Sequence, residues 1–220
     1  MIKAVIFDAE GVVIDTHKLW VKGDLEFLAN HCPGVANLDK IYASDIVAKI
    51  VGNSIFDGAV TMQKILNFSG DAKDFEEERI QIMEKLFKKD ITFVNGFTDF
   101  FNNEVKGIFK TAVGTAIKKE FMELVEQKLP IRDFFGNNIF HIHDVGNISK
   151  PSPDIFLYAA RQLGVSPAEC LIIEDAPNGI EAARRAGMKS VGITTSFAGE
   201  ILKDADIIVD SFDQINLGQF

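Results

Sequence analysis

Asp8, Glu10, Thr115, Lys150, Glu174 and Asp175 carry chemistry by their type and by their placement in the chain. Asp8 and Glu10 follow the apolar run that starts at Ile2, and lead into a turn at Gly11. The run FKTAVG ends in Thr115, the run CLII ends in Glu174-Asp175, and Lys150 stands before Pro151-Ser152-Pro153. A carboxylate at the end of a buried strand loses hydration and needs a charged partner there. Four carboxylates gathered at one place repel one another until a cation neutralises them. An all-oxygen donor set without His or Cys selects a hard cation, and Mg²⁺ is the cofactor expected. A single lysine among the acids offsets one more charge and can bind a phosphoryl oxygen. The set therefore predicts a phosphate-bearing substrate, Mg²⁺ and an aspartate nucleophile.

Each of these residues alone has a plainer use. Asp8 can cap a turn, and Lys150 can be a solvated surface lysine. Thr115, followed by Ala116-Ile117-Lys118-Lys119, has the look of a helix N-cap. Glu174-Asp175 can open a helix. Two adjacent acids directly after CLII are nevertheless hard to explain without a cation.

The elements that must position them read as an open α/β sheet. Short apolar runs at Ile2–Phe7, Ile108–Val113, Asn138–Ile142, Cys170–Ile173, Ser190–Ile193 and Ala205–Val209 suit strands buried on both faces, hence a parallel sheet covered by helices. Helical periodicity over Pro153–Leu163 and Pro177–Ala186 separates the later strands, the second helix stopping at Gly187. In such sheets ligands bind beyond the carboxyl ends of the strands, where the acids, the hydroxyl and the lysine fall. From residue 16 to residue 90 the pattern is helical throughout, most clearly over Asp74–Phe87, with Glu76 to Glu78 expected in the first turn. A block of that length between the first and second strands exceeds an ordinary crossover. The expected organisation is a core of residues 1–15 and 91–220 with an inserted α-helical domain over 16–90. Asp15 is expected to shape the hinge between them.

Composition narrows the function classes. The chain has 220 residues, 47% hydrophobic and 25% charged, and a formal net charge of −9. An acidic chain without a basic face is a poor binder of nucleic acid. Phe accounts for 19 residues against one Trp and two Tyr, so the aromatic mass is core filler. Cys32 and Cys170 have neither metal-ligand spacing nor the numbers for a disulfide framework; Cys170 is expected to be buried. No apolar stretch approaches the roughly 20 residues needed to span a bilayer, so no membrane partner is expected. Asp8 and Glu10 interrupt the N-terminal apolar run, so a signal peptide is not expected and a cytoplasmic address is the default expectation. His141 and His143 alternate as two ligands on a strand would, but lack a third and fourth ligand at a recognised spacing; they read as a polar strand end near the sheet's rim. Glycine-loop signatures for dinucleotides, P-loops and serine hydrolases do not occur.

The motifs resemble those of the haloacid dehalogenase superfamily, in the subgroup of β-phosphoglucomutase-like and phosphoglycolate-phosphatase-like proteins. D-x-D-G-[VT] is matched by Asp8-Ala9-Glu10-Gly11-Val12, the Ser/Thr motif by Thr115, and K-P-x-P by Lys150-Pro151-Ser152-Pro153. E-D-x-x-x-G-I-x-A is matched by Glu174-Asp175-Ala176-Pro177-Asn178-Gly179-Ile180-Glu181-Ala182. Order and spacing agree over nearly the whole chain.

The resemblance implies a Rossmann-like core with a helical cap, and a Mg²⁺-dependent phosphatase of a small phosphorylated metabolite, as a monomer or homodimer. It implies that Asp8 becomes an aspartyl phosphate, that Thr115, Ala116 and Lys150 bind the phosphoryl group, and that Asp8, Glu174, Asp175 and the main-chain carbonyl of Glu10 hold Mg²⁺. The residue two after the nucleophile would be the general acid and base, and here it is Glu10 where phosphatases and mutases of the family carry Asp. Glutamate keeps the acid but adds a methylene. β-Phosphoglucomutases also resemble one another in a G-x-S-R segment whose Arg grips a distal phosphate; here it reads Gly52-Asn53-Ser54-Ile55, without the cation. The alternatives are a sugar-phosphate mutase and a catalytically weak phosphate-binding homologue.

Overall fold

The computed structural model describes residues 1–50 and 54–220. The strands are β1 (Ala4–Phe7), β2 (Lys110–Thr115), β3 (Ile139–His141), β4 (Cys170–Glu174), β5 (Lys189–Ile193) and β6 (Ile207–Val209). The helices of eight residues or more are α1 (His17–His31), α2 (Ile55–Leu66), α3 (Ala72–Asp90), α4 (Lys119–Lys128), α5 (Asp154–Leu163) and α6 (Pro177–Ala186). Helical turns also run over 38–50 and 97–105, each with a widened π turn. The chain divides into two compact units, Met1–Thr16 with Ile91–Phe220, and His17–Asp90.

In the first unit the strands form one parallel sheet in the order β3-β2-β1-β4-β5-β6. The order reverses between β1 and β4, and the carboxyl ends of strands flanking such a switch point are where open α/β sheets bind ligands. β1 is central and fully buried, so its residues serve both faces. Ala4 and Ile6 belong to a core with Ile155, Phe156, Ala159 and Ala160 of α5 and Ala182 and Ala183 of α6. Phe7 belongs to an aromatic core, edge-on to Phe97 at 5.8 Å and to Phe135 at 5.5 Å, with Phe101 alongside. Edge-to-face pairs of this kind add about 0.5–1.5 kcal/mol each beyond area burial. That is where much of the phenylalanine goes, and together with the α5–α6 core it covers β1 on both faces.

The second unit contains no strand among its described residues. Phe27 and Leu28 of α1 and Phe75, Met83, Leu86 and Phe87 of α3 are buried in it. Its interior also holds Asp24, which accepts from Arg79 Nη2 at 2.6 Å and Nε at 3.0 Å and from Tyr42 Oη at 2.7 Å. Helix α3 begins at Ala72, one half-turn before the sequence pattern, so Asp74 rather than Glu76 to Glu78 occupies its first turn. Gly52 and Asn53 lie outside the described residues. Ser54 caps α2 by accepting from the Asp57 amide at 3.0 Å, and Ile55 is a buried first-turn residue. The position where the resemblance would place the Arg of the mutases is thus buried and apolar here.

The strand ends differ from the apolar runs. β2 starts at Lys110 because Ile108 stands exposed in a turn, its amide bonded to the Val105 carbonyl. β6 shrinks to Ile207–Val209 because Asp206 spends its carboxylate on the Ser190 amide, at 2.8 Å. Cys32 is buried, although its neighbours are polar, and so is Cys170; neither is in a disulfide. Near the crossings between the units, the Asp15 amide donates to the Thr92 carbonyl at 2.9 Å, so the two chain segments run side by side.

Candidate active site

The site grows from the end of β1. Asp8 stays on the sheet ladder, its amide donating to the Ile173 carbonyl at 3.0 Å, so the carboxylate leaves a fixed backbone. The register pairs Phe7 with Val113 on one side and with Ile173 on the other. One rung further, Asp8 therefore stands level with Gly114 and Glu174, and Thr115 follows. Chain positions far apart meet here because parallel strands end together.

After Asp8 the chain turns back sharply, with Val13 and Ile14 amides both donating to the Ala9 carbonyl. Glu10 is half-buried in this turn and bridged through its backbone to Ile14. Gly11 adopts φ +75°, and a Cβ there would fall 1.8 Å from Asp175 Oδ2. Both facts require glycine: a left-handed φ strains any other residue, and the space belongs to Asp175. Gly11→Ala is expected to lower the melting temperature by about 4–8 °C, roughly 2 kcal/mol for a chain of this size. A differential-scanning measurement checks it; an unchanged transition contradicts the close packing.

Lys150 is buried and donates to Asp8 Oδ1 at 2.5 Å and to Glu174 Oε1 at 2.6 Å, with its ammonium 4.7 Å from the Phe156 ring centre. The other oxygen of Glu174 accepts from the Asp175 amide at 2.9 Å and the Ala176 amide at 3.0 Å. Glu174 lies in the space Gly179 leaves, since a Cβ on Gly179 would meet Oε1 at 1.7 Å. Carboxylate oxygens of Asp8, Glu174 and Asp175 lie within 4.8 Å of one another, all three residues buried. Among the described residues this is the group of acids, His and Cys placed to hold a metal ion. Three buried carboxylates against one ammonium, with no nitrogen or sulfur donor, is the donor set of a hard divalent cation.

Electrostatics point the same way. Burial alone would depress Lys150, yet the charges of Asp8 and Glu174 outweigh it and hold the ammonium above the ordinary lysine range. Burial pushes Glu174 up, aided by the Asp8 charge and opposed by Lys150. Asp175 is pushed well above the carboxylate range by burial, then by Glu174 and Asp8, against a hydrogen bond from Ser196. An acid raised in the folded state favours folding while protonated. Its contribution is therefore full below the unfolded pKa near 4 and is lost as pH rises toward the folded value. In chelator, chemical denaturation is expected to show this cluster losing stability from about pH 4 upward, so the stability of Asp175→Asn relative to the native chain should rise over that window; a difference that stays flat or falls would contradict the sign.

Thr115 is buried at the end of β2, and its Oγ1 accepts from the Ile117 amide at 3.1 Å. It is not a helix N-cap: α4 begins at Lys119 with Lys118 at its cap, and Thr115 instead closes a turn onto the Ile117 amide. Ala116 is half-buried in that turn. His141 ends β3, whereas His143 lies in the turn Ile142–Val145, so the two do not share a strand face. Sequence reasoning missed Thr195 and Ser196. Thr195 Oγ1 donates to the Gly11 carbonyl, and Ser196 bonds Asp175. The available signal was three consecutive hydroxyls directly after the fifth apolar run.

Comparison with known proteins places the chain in a family. Residues 2–187 match the family model of haloacid dehalogenase-like hydrolases. A β-phosphoglucomutase of Bacillus subtilis is 30% identical over 228 residues, covering 98% of this chain and 92% of the relative. A phosphoglycolate phosphatase of Salmonella typhi is 27% identical over 232 residues, covering 97% and 91%. The crystal structure of a β-phosphoglucomutase from Clostridium difficile superposes with a TM-score of 0.77 at 27% identity, covering 100% of this chain and 95% of that one. No helix among the described residues is long and apolar enough to cross a membrane. With the motifs gathered at the carboxyl ends of the strands and the match spanning most of its length, the chain belongs to the haloacid dehalogenase-like hydrolases.

Proposed function

We propose that the protein is a phosphoric monoester hydrolase, a phosphatase of a small phosphorylated metabolite that works through an aspartyl phosphate. The observation that carries this reading is Lys150 ion-paired at once to Asp8 and Glu174, beside the buried carboxylate of Asp175. An aspartate pinned in this way is oriented but not consumed, and keeps one carboxylate oxygen for attack. In the first step that oxygen bonds phosphorus and the ester oxygen leaves, taking its proton from the Glu10 carboxylic acid. In the second, water attacks the phosphorus of the acyl phosphate and gives a proton to Glu10; inorganic phosphate leaves and Asp8 is restored. Thr115, the Ala116 main chain and Lys150 bind the phosphoryl oxygens. Asp8, Glu174, Asp175 and the carbonyl of Glu10 are the Mg²⁺ ligands, and the cation when bound neutralises charge on the phosphoryl group. The helical unit His17–Asp90 serves as the cap that sets substrate choice.

A mutase reading draws on the 30% identical β-phosphoglucomutase. The two separate on product: a phosphatase liberates inorganic phosphate from an aryl phosphate and from phosphorylated metabolites, while a mutase returns the phosphoryl group to the sugar. The expected result is Mg²⁺-dependent phosphate release that a chelator stops, and a melting temperature raised by Mg²⁺ more at pH 7 than at pH 4. Absence of phosphate release across a panel of monoesters, with both the native chain and Glu10→Asp, would overturn the reading.

A further inference from the structure

His141 lies outside every motif of the family, yet it stands beside the phosphate-binding turn. The β2–β3 register pairs it with Thr115, and β3 ends on it. Its ring Nδ1 is 3.3 Å from the Ile117 carbonyl oxygen. A carbonyl only accepts, so this hydrogen bond assigns the proton to Nδ1. The Ile117 amide in turn donates to Thr115 Oγ1 at 3.1 Å. Ile117 is thus held at both of its backbone groups, by the imidazole on one side and the threonine on the other, while its side chain is buried. The main chain of His141 is fixed too, its amide donating to Asp144 Oδ2 at 2.9 Å. One consequence concerns the direction of a hydrogen. A threonine oxygen that accepts from the Ile117 amide turns its own O–H away from that amide, available to donate to a bound anion.

We propose that His141 is a positioning residue: by holding Ile117 it fixes the turn 115–118 so that the Thr115 hydroxyl and the Ala116 main chain face a phosphoryl group. The inference rests on the assignment of that turn to phosphate binding. It predicts that the hydrogen bond, and not the ring's bulk, is what matters. Asn places an N–H near the position of Nδ1, whereas Phe fills the space without a donor.

The test measures binding of inorganic phosphate in Mg²⁺ by calorimetry, and amide hydrogen exchange at Ile117, in the native chain and in His141→Asn, His141→Phe and His141→Ala. Losing one hydrogen bond that holds a turn corresponds to a loss of about five- to tenfold in phosphate affinity. That loss is expected in His141→Phe and His141→Ala, together with faster exchange at Ile117, and His141→Asn is expected to stay near native in both. Native-like affinity and exchange in His141→Phe would overturn the proposal. If the native chain binds no phosphate while Ile117 still exchanges faster in His141→Phe than in His141→Asn, the phosphate assignment fails and the hold on the turn stands. If exchange is also the same in all four chains, His141 positions nothing.

Discussion

Asp8→Asn is expected to abolish phosphate release, by on the order of 10⁴-fold or more, because removal of a covalent nucleophile leaves only binding and electrostatic contributions. An amide is nearly the same size as the carboxylate it replaces, so the geometry survives while the chemistry does not. Lys150 keeps its bond to Glu174 and so is not left as an unpaired buried charge. The substitution also removes one of three crowded carboxylates, so the variant is expected to melt no lower than the native chain in chelator. Two measurements check the account: turnover of an aryl phosphate, and mass-spectrometric capture of an acyl phosphate on the Asp8 peptide of the native chain only. A native rate in Asp8→Asn would remove the aspartyl phosphate from the mechanism.

Glu10→Asp carries the second largest expected effect, a rise in turnover of about 10- to 100-fold. Glutamate and aspartate have similar intrinsic acidities, near 4.3 and 3.9, so the gain does not come from proton affinity. It comes from position. The extra methylene displaces the carboxyl group by about 1 Å and adds a rotatable bond, and misplacement on that scale can cost about 10²-fold. Comparison of kcat and KM on one substrate separates the outcomes. A gain in kcat at constant KM supports the positional argument. Recovery from a silent native chain favours the catalytically weak, phosphate-binding homologue. A loss in Glu10→Asp would mean that the pocket is shaped around the longer acid.

Some elements were legible to the residue. Helix α6 runs from Pro177 to Ala186 as its pattern predicts, because proline in the first turn and glycine at the left-handed C′ position, φ +70° at Gly187, are local signals. Strand ends were less legible. Ile108 is apolar and reads as strand, but pairing with β1 begins only at Lys110. Thr115 followed by a helical run reads as a cap, but the residues between them close a turn of their own. Strand ends depend on what the neighbouring strand offers, and that is absent from any local window.

The sequence by itself determined the cast and the scaffold: which acids, hydroxyl and lysine follow which apolar runs, and hence an α/β sheet whose strand ends carry oxygen ligands. Residue type and period are local properties, and chain order makes them readable. Only the tertiary structure decided who meets whom. Asp8 and Lys150 are 142 residues apart and lie at 2.5 Å because β1 sits at the centre of a parallel sheet and both are carried to the same edge. Gly11 and Gly179 read as turn and helix glycines, yet their lack of a side chain is what admits Asp175 and Glu174. Ser196 meets Asp175, and His141 meets Ile117 beside Thr115, for the same reason, since contacts between loops that follow different strands depend on register and packing in three dimensions.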